Sequence, residues 1–316
     1  MAEAAPAAAR RAAAAAAGLL DKPLVVVTGK GGVGKSTVAA ALGLAAARRG
    51  HRTIIAEVAR RDDVSRVLGG TGVHEDALAP GLHHISIDPE EAMEEYLIDQ
   101  LPSRALADVL LSSRGFNYFA AATPGLRELL TVGKVWELAQ EDRRTPGAEP
   151  YDLVVLDAPA TGHGVAVLQA PRTFADATMM GRIARQGRII DAMLSDPAKT
   201  GVVAVARTEE MPVNETLALE AALPGAVGVN VDLVVANGML PDRFSAADVR
   251  TLQAAPVSPP VRAALTAHAR AKAQRAQLAR LRRHTHAPVV TLPFVSAALL
   301  DAAAIEPLVR ALERAV

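Results

Sequence analysis

Short apolar runs rich in β-branched residues recur along the chain, separated by longer stretches with helical periodicity. Such runs are typical of strands that are buried on both faces of a parallel sheet. Because helical stretches alternate with these runs, the pattern predicts an α/β fold whose mostly parallel sheet has helices on both faces. The predicted strands lie at residues 24–27, 52–58, 82–87, 153–156, 201–206, 231–236 and 289–292.

Helical patterns fill most of the chain between these strands. We predict helices at residues 36–49, 173–194, 214–222, 260–283 and 305–315, and several more between residues 90 and 141. Two excursions between strands, at about residues 90–145 and 173–195, are long enough to form a helical subdomain. Residues 1–22 are predicted to form an alanine-rich N-terminal arm, and residues 23–316 a single domain.

Composition narrows the classes of function. Lys plus Arg and Asp plus Glu both number 34, so the formal net charge is zero and we expect no nucleic-acid partner. The chain has no cysteine, which excludes disulfides, thiolate metal sites and cysteine nucleophiles. No stretch reaches the roughly 20 apolar residues of a membrane-spanning helix, so we expect a soluble, cytoplasmic protein.

A glycine-rich loop directly follows the first predicted strand. Residues 29–36, GKGGVGKS, fit the pattern G-x-x-x-x-G-K-[ST], and a helical pattern follows them. Glycines let successive backbone N–H groups point at phosphate oxygens, and the helix N-terminus adds its positive dipole end. Lys35 should reach the β- and γ-phosphates, and the Ser36 hydroxyl should bind Mg²⁺. The sequence therefore predicts binding of ATP with Mg²⁺, through Gly29, Lys30, Gly31, Gly32, Val33, Gly34, Lys35, Ser36 and Thr37.

A carboxylate closes the most apolar predicted strand. Asp157 opens the segment DAPATGH, residues 157–163. An aspartate after a buried strand in a phosphate-loop protein holds Mg²⁺, usually through water. The glycine of the segment would let it move with the γ-phosphate. Ser36 and Asp157 are thus the predicted metal ligands.

Together these motifs resemble the ArsA family, which includes arsenite-pump ATPases and ATPases that target tail-anchored membrane proteins. KGGVGKS, with its additional Lys30, resembles the deviant Walker A loop of that group, and DAPATGH resembles the family motif DTAPTGH. The resemblance runs from about residue 24 to residue 313 and implies a single ArsA-type P-loop ATPase domain. It also implies a dimer in which Lys30 reaches the partner's nucleotide and neutralises charge that develops during hydrolysis.

Further segments resemble the family's nucleotide-binding parts. Residues 232–241, DLVVANGMLP, are similar to a strand ending in an asparagine that reads adenine, which implies this role for Asn237. Residues 291–294, TLPF, resemble the loop that covers the adenine, which implies contacts from Pro293 and Phe294. Residues 212–216, PVNET, resemble the family's Glu-Thr helix start.

The sequence departs from the family pattern in its first switch segment. Ala59 stands where relatives have an aspartate that positions the attacking water, and alanine cannot orient water. Glu57, two residues earlier, is the candidate that substitutes for it, so the predicted catalytic residues are Lys30, Lys35 and Glu57. We expect slow hydrolysis, with binding-only or partner-dependent activity as the alternative.

Two other departures concern partners. Without cysteine the chain cannot build the arsenite-binding cluster or the zinc clamp of certain relatives, so no zinc is expected. The second helical excursion is short, and its apolar residues fit either a core or a groove for a client helix. These residues are Met179, Met180, Ile183, Ile189, Ile190, Met193 and Leu194.

The resemblance implies a dimeric Mg·ATP-dependent ATPase that couples nucleotide state to dimer opening and closing. The dimer is a homodimer or a heterodimer with a paralogue, and the partner is a hydrophobic client helix or a membrane protein. One alternative is the energising subunit of an arsenite or anion pump. A second is a weakly active, nucleotide-gated scaffold that pairs with an active paralogue, and a third is a positioning ATPase similar to ParA and MinD.

Overall fold

The structure is a computed structural model that describes residues 18–58, 61–71, 75–100, 103–114, 123, 125–144, 147–178 and 182–316. Most of the predicted N-terminal arm, residues 1–17, lies outside this part of the chain. The strands within it are β1 (Leu24–Gly29), β2 (Thr53–Val58), β3 (Asp76–Ala79), β4 (Leu82–Ile87), β5 (Leu153–Asp157), β6 (Thr200–Arg207), β7 (Leu233–Met239) and β8 (Val289–Pro293).

These strands form one eight-stranded sheet in the order β3-β4-β2-β5-β1-β6-β7-β8. Neighbouring strands are parallel, except that β3 runs antiparallel to β4 at the edge. The predicted mostly parallel α/β sheet is therefore confirmed. β3 was not predicted, because its sequence DALA is short, half-exposed and poor in β-branched residues.

The helices of the described residues surround this sheet. They are α1 (Lys35–Arg48), α2 (Asp63–Leu68), α3 (Pro89–Gln100), α4 (Arg104–Ser112), α5 (Leu126–Leu138), α6 (Thr161–Thr178), α7 (Arg182–Leu194), α8 (Glu210–Ala226), α9 (Ala246–Ala254), α10 (Pro259–His284) and α11 (Glu306–Glu313). The excursion predicted at 173–195 begins earlier than expected, because α6 already starts at Thr161 and contains Pro171. The segment 161–171 contains glycine and proline, which are unfavourable inside a helix, so its sequence gives little helical signal.

Alternation along the buried strands builds two cores. In β1, Leu24 and Val26 face one cluster, which α5 to α8 cover, whereas Val25 and Val27 face the other, which α1 and α11 cover. All four side chains are fully buried. A strand that is enclosed on both faces holds its carboxyl end in a fixed place, and the glycine-rich loop begins at that end.

Helix α1 packs unusually close to the sheet. A Cβ atom on Gly43 would lie 2.6 Å from Cδ1 of Ile55 on β2, so a larger residue there would displace the Ile55 side chain. The contact fixes the helix that carries Lys35 and Ser36 against the strands that carry the other site residues.

The helical layer is formed by α3, α5, α6 and α7, which pack on one another. Ile190, Met193 and Leu194 of α7 are buried in the core, and Ile189 is 40% exposed. Met179 and Met180 lie outside the described residues. For the described part of α7, the apolar side chains thus mostly fill a core. Within the same ranges, no helix combines the length and apolarity needed to cross a bilayer.

Candidate nucleotide-binding site

The glycine-rich loop joins the central strand β1 to α1. Gly29 has φ +147°, and a Cβ atom there would lie 2.2 Å from the carbonyl oxygen of Val205 on β6. Gly34 has φ +92°, in the left-handed region, and immediately precedes α1. Only glycine accepts both the backbone angles and the close neighbours. The loop therefore has the backbone form that its sequence motif predicts.

Lys35 points back into this loop. Its side chain is buried, and Nζ donates to the carbonyl oxygen of Lys30 at 3.2 Å. Burial lowers the pKa of Lys35, and the negative charge of Asp157 opposes that shift. The ammonium group thus lies beside the loop backbone, where phosphate oxygens would be cradled.

Ser36 and Asp157 meet across neighbouring strands. The Ser36 Oγ donates to Oδ2 of Asp157 at 2.6 Å, because β5 lies beside β1 with Asp157 opposite Val27. Asp157 is 1% exposed, and its Oδ1 has no hydrogen-bond partner among the described residues. Burial raises the pKa of Asp157 to about 6. A hydroxyl beside a carboxylate with an unused buried oxygen is a donor set that fits Mg²⁺ and its water ligands.

Lys30 lies in an ion pair within its own chain. Its Nζ contacts Oε1 of Glu215 on α8 at 2.5 Å, and each side chain is about one-third exposed. Glu215 belongs to the PVNET segment, so two motifs that the sequence suggested separately come together here. The pairing itself was not predicted, because 185 positions separate the two residues.

Glu57 is fully buried at the end of β2. One carboxylate oxygen accepts from the backbone N–H of Asp63 at 3.1 Å, and the other from Val64 at 2.9 Å. The second oxygen also lies 2.7 Å from Nε2 of His84. Glu57 therefore binds the N-terminus of α2 and a buried histidine, although it lies opposite Asp157 in the strand register.

The first switch segment is described only in part. Ala59, the residue that replaces the expected aspartate, lies outside the described residues. Arg61 is exposed. Burial is the main cause of the lowered pKa of Lys35, and the positive charge of Arg61 lowers that pKa further, against the opposing effect of Asp157. Sequence reasoning missed Arg61, because a single arginine in a charged run carries no specific signal.

The predicted adenine residues lie at the ends of β7 and β8. Asn237 donates from Nδ2 to the Val33 carbonyl oxygen at 2.9 Å, which ties the end of β7 to the glycine-rich loop. Phe294 is 48% exposed, and its backbone N–H donates to the Met239 carbonyl oxygen at 2.9 Å. Pro293 pairs with Met239 in the sheet register. The structure thus brings Asn237, Pro293 and Phe294 to the edge of the sheet where the loop lies.

A buried glutamine holds this edge. Gln274 of α10 accepts from the backbone N–H of Leu240 at 2.9 Å and donates to the Gly238 carbonyl oxygen at 3.2 Å. Its side chain is 5% exposed. The sequence predicted a helix at residues 260–283 but gave no sign of the role of Gln274, because one glutamine in a charged helix resembles a solvated residue.

A mostly parallel sheet, a glycine-rich loop between β1 and α1, and an aspartate at the end of the adjacent strand define a P-loop NTPase fold. The family model described as "Anion-transporting ATPase" matches residues 22–193 and 177–255. The chain belongs to this ArsA family, and the resemblance found in the sequence motifs is confirmed.

Individual relatives agree with the family model. The chain is 31% identical to the ATPase BagA of Mycobacterium tuberculosis over 204 residues, which is 61% of this chain and 58% of that protein. It is 29% identical to an arsenical pump-driving ATPase of Escherichia coli over 259 residues, which is 74% of this chain and 42% of that protein. An uncharacterised Streptomyces coelicolor protein is 27% identical over 252 residues, 69% of this chain and 63% of that protein. The matches thus span about half of these relatives' own length.

Proposed function

We propose that this chain binds Mg·ATP at residues 29–36 and hydrolyses ATP to ADP and phosphate within a dimer that opens and closes with nucleotide state. The contact between Ser36 and Asp157 is the observation that carries the proposal. It joins the hydroxyl of the phosphate loop to a buried carboxylate with an unused oxygen. Membership of a family of ATPases supports the reaction.

The chain's own residues would act mainly by positioning and electrostatics. The backbone N–H groups of the loop bind phosphate oxygens, and Lys35 pairs with the β- and γ-phosphates. Ser36 and Asp157 would hold Mg²⁺, Asp157 through water. When bound, Mg²⁺ neutralises charge on the β- and γ-phosphate oxygens. Thr37 lies in the first turn of α1, whose N-terminus adds a favourable dipole.

The adenine would lie at the ends of β7 and β8. Asn237 uses its amide nitrogen on Val33, which leaves Oδ1 to accept from the exocyclic amine of adenine. Pro293 and the half-exposed ring of Phe294 would cover the base. Gln274 supports this arrangement because it holds the turn after Asn237.

Lys30 would act on the partner's nucleotide. Its contact with Glu215 is a partly exposed ion pair, and ion pairs near the surface contribute only about 0–1 kcal/mol, so exchanging the carboxylate for a phosphate costs little. In the free chain, Glu215 would hold Lys30 until a nucleotide arrives. The partner subunit is a second copy of this chain or a paralogue, and the helical layer passes the movement to a client or membrane-protein partner.

The contacts of Glu57 bear on the rate of hydrolysis. Glu57 is fully buried and its carboxylate already contacts α2 and His84, so a role in positioning water requires the surrounding segment to move. This observation favours slow turnover, and it makes a weakly active nucleotide-gated scaffold the second candidate. A paralogue that supplies an intact switch would then provide the hydrolysis.

The name of the Escherichia coli relative points to an arsenite pump as a further candidate. Thiolates are the ligands that arsenite prefers, and this chain has no cysteine. We therefore expect arsenite to leave the turnover of the purified protein unchanged. Turnover that rises with arsenite would place the chain with the pump ATPases.

The main test combines calorimetry with ATP, light-scattering size analysis with and without Mg·ATP, and phosphate release. We expect Lys35→Ala to abolish ATP binding. Lys30→Ala should keep ATP binding but lose nucleotide-dependent dimerisation and most of the turnover. Glu215→Gln is the matched control, because it breaks the same ion pair and leaves the lysine free to act.

Three outcomes would contradict the proposal or part of it. A chain that stays monomeric under every nucleotide condition would refute the role of Lys30 on a partner. An equal loss of turnover in Lys30→Ala and Glu215→Gln would reduce their contact to a structural ion pair. Absence of ATP binding in the unaltered chain would remove the proposal as a whole.

A further inference from the structure

The helical layer contains a cavity of about 300 Å³ between α3, α5, α6 and α7. None of the predicted nucleotide contacts is among its described lining residues. Most of the lining is apolar, and its larger side chains are Met93, Tyr96, Leu129, Leu130, Phe174 and Ile190. This is a second candidate binding site within the described part of the chain.

The volume restricts the occupant. An α-helix with side chains is about 10 Å across, so a single turn of it fills roughly 400 Å³ and exceeds this space. An engineered apolar cavity of about 150 Å³ binds benzene, which has six carbons. At about 300 Å³, this cavity holds roughly ten carbon atoms. The occupant is therefore the size of one medium-length alkyl chain.

Two buried polar atoms of the lining have no hydrogen-bond partner among the described residues, Nε2 of Gln186 and Oε2 of Glu137, and the second of these lies in an ion pair with Lys134. The Nε2 atom of Gln186 on α7 is buried and donates to no acceptor among the described residues. A buried donor without an acceptor destabilises a fold, so it points to an acceptor on the occupant. The lining contains two cations, Lys134 and Arg144, and two carboxylates, Glu95 and Glu137, so its formal charges balance. Lys134 already contacts Glu95 at 2.8 Å and Glu137 at 3.4 Å, so the matching acceptor is uncharged.

A glycine in the wall leaves the space open. Gly133 lies inside α5, where glycine is less favourable than alanine. A Cβ atom on Gly133 would meet only Cδ1 of Ile190, at 3.9 Å, so no close packing requires glycine. Gly187 differs, because a Cβ atom there would lie 2.8 Å from the Pro171 carbonyl oxygen. Gly133 thus has no packing reason in the described neighbourhood, and its effect is to enlarge the cavity.

We propose that this cavity binds one uncharged medium-chain acyl group, whose carbonyl oxygen accepts a hydrogen bond from Gln186. The alkyl chain would lie among the apolar side chains of α3, α5 and α6. The shared chemistry of the ligand is an acyl ester or amide, free or attached to a larger molecule. This site does not depend on the nucleotide function proposed above.

The test uses N-methyldecanamide and the full chain. Trp136 is the single tryptophan and lies on α5 between lining residues 134 and 137, so its fluorescence reports occupancy, and calorimetry gives the stoichiometry. We expect saturable binding of one molecule per chain. Gly133→Leu should weaken it more than tenfold because the new side chain fills the cavity, whereas Gly133→Ala should keep it within about twofold because a methyl group fits.

A second variant keeps the proposal testable even if Gly133→Leu does not fold. Gln186→Leu removes a donor that has no partner, so the free protein should keep its stability. This variant should bind N-methyldecanamide about three- to tenfold more weakly than the unaltered chain does. Binding of decane should stay unchanged, because decane has no hydrogen-bond acceptor. A cooperative thermal unfolding transition of each variant verifies that the fold is retained.

Three outcomes would overturn the proposal. The first is the absence of saturable N-methyldecanamide binding to the unaltered chain. The second is an equal loss of affinity for decane and for N-methyldecanamide in Gln186→Leu. The third is a result in which the unaltered chain binds an apolar helical peptide but not N-methyldecanamide, and Gly133→Leu blocks the peptide. That result would identify the side chains of a client protein as the occupants of the cavity. Comparing free N-methyldecanamide with a decanoylated peptide distinguishes a free ligand from an attached acyl group.

Discussion

Replacing Asp157 by asparagine should stabilise the metal-free protein at neutral pH. The Asp157 side chain is 1% exposed, and burial raises its pKa from 3.8 to about 6. The folded state therefore binds a proton on Asp157 more tightly than the unfolded state does. The protonated Asp157 side chain contributes its full stabilisation to the wild type below about pH 3.8. That stabilisation is lost as the pH rises through about 6. Asparagine has no such titration, and its Oδ1 can still accept from Ser36.

The pKa difference sets the size of the effect. A shift of about two pKa units at about 1.36 kcal/mol per unit gives a difference on the order of 3 kcal/mol between pH 4 and pH 7. Burying the asparagine NH₂ group costs free energy at every pH, so that cost cancels when the two pH values are compared. The pH-dependent part of the difference between Asp157→Asn and wild type thus isolates the buried carboxylate.

Urea unfolding with a chelator, at several pH values between 4 and 7, measures this difference. We expect the stability of Asp157→Asn relative to wild type to rise steadily across that range. Parallel stability curves for the two proteins would refute the reasoning, because they would mean that the carboxylate is as well solvated when folded as when unfolded. Addition of Mg·ATP should stabilise the wild type and not the variant, since the metal ligand is lost.

Three further changes test other parts of the site. Glu57→Gln should lower the free energy of unfolding by about 1–3 kcal/mol, because an NH₂ group replaces one oxygen that accepts from the backbone N–H groups of α2. Loss of phosphate release with unchanged stability would instead indicate that Glu57 positions water. Gly34→Ala should abolish ATP binding in calorimetry, since Gly34 has φ +92° and a Cβ atom there would lie 2.4 Å from Asn237 Nδ2. Gly31→Ala is the control and should keep ATP binding, because a Cβ atom on Gly31 has room. Equal ATP binding by the two variants would contradict this prediction. Gln274→Leu should weaken the binding of ATP more than the binding of tripolyphosphate in competition assays, because it removes the hydrogen bonds that hold the backbone beside the adenine position. Equal weakening of the two ligands would show that the substitution disturbs the whole nucleotide site.

Local sequence patterns predicted the parts of the fold and site that local chemistry determines. The glycine-rich loop follows from a contiguous motif, and the buried strands follow from apolar runs, so both were predicted without knowledge of the topology. β3 and the start of α6 were missed, because tertiary packing outweighs weak or contrary propensities there.

The contacts that complete the site could not be predicted in the same way. Glu57 binds α2 and His84, and Gln274 binds the turn after β7, through hydrogen bonds between distant segments. A buried glutamate or glutamine shows no distinctive spacing in the sequence. The pair of Lys30 and Glu215 depends likewise on the placement of α8 beside the loop. Such partners become visible only when the strand order is known.

The strand order also determines when this site can form during synthesis. β1 and β2 leave the ribosome first, yet they are not neighbours, because β5 lies between them. At about 5–20 residues per second, the stretch from β1 to β5 takes on the order of ten seconds to translate. During that interval the apolar strand that ends in the glycine-rich loop has neither of its sheet neighbours. Growth conditions that change the translation rate should therefore change the soluble yield of this chain more than that of a protein whose consecutive strands pair.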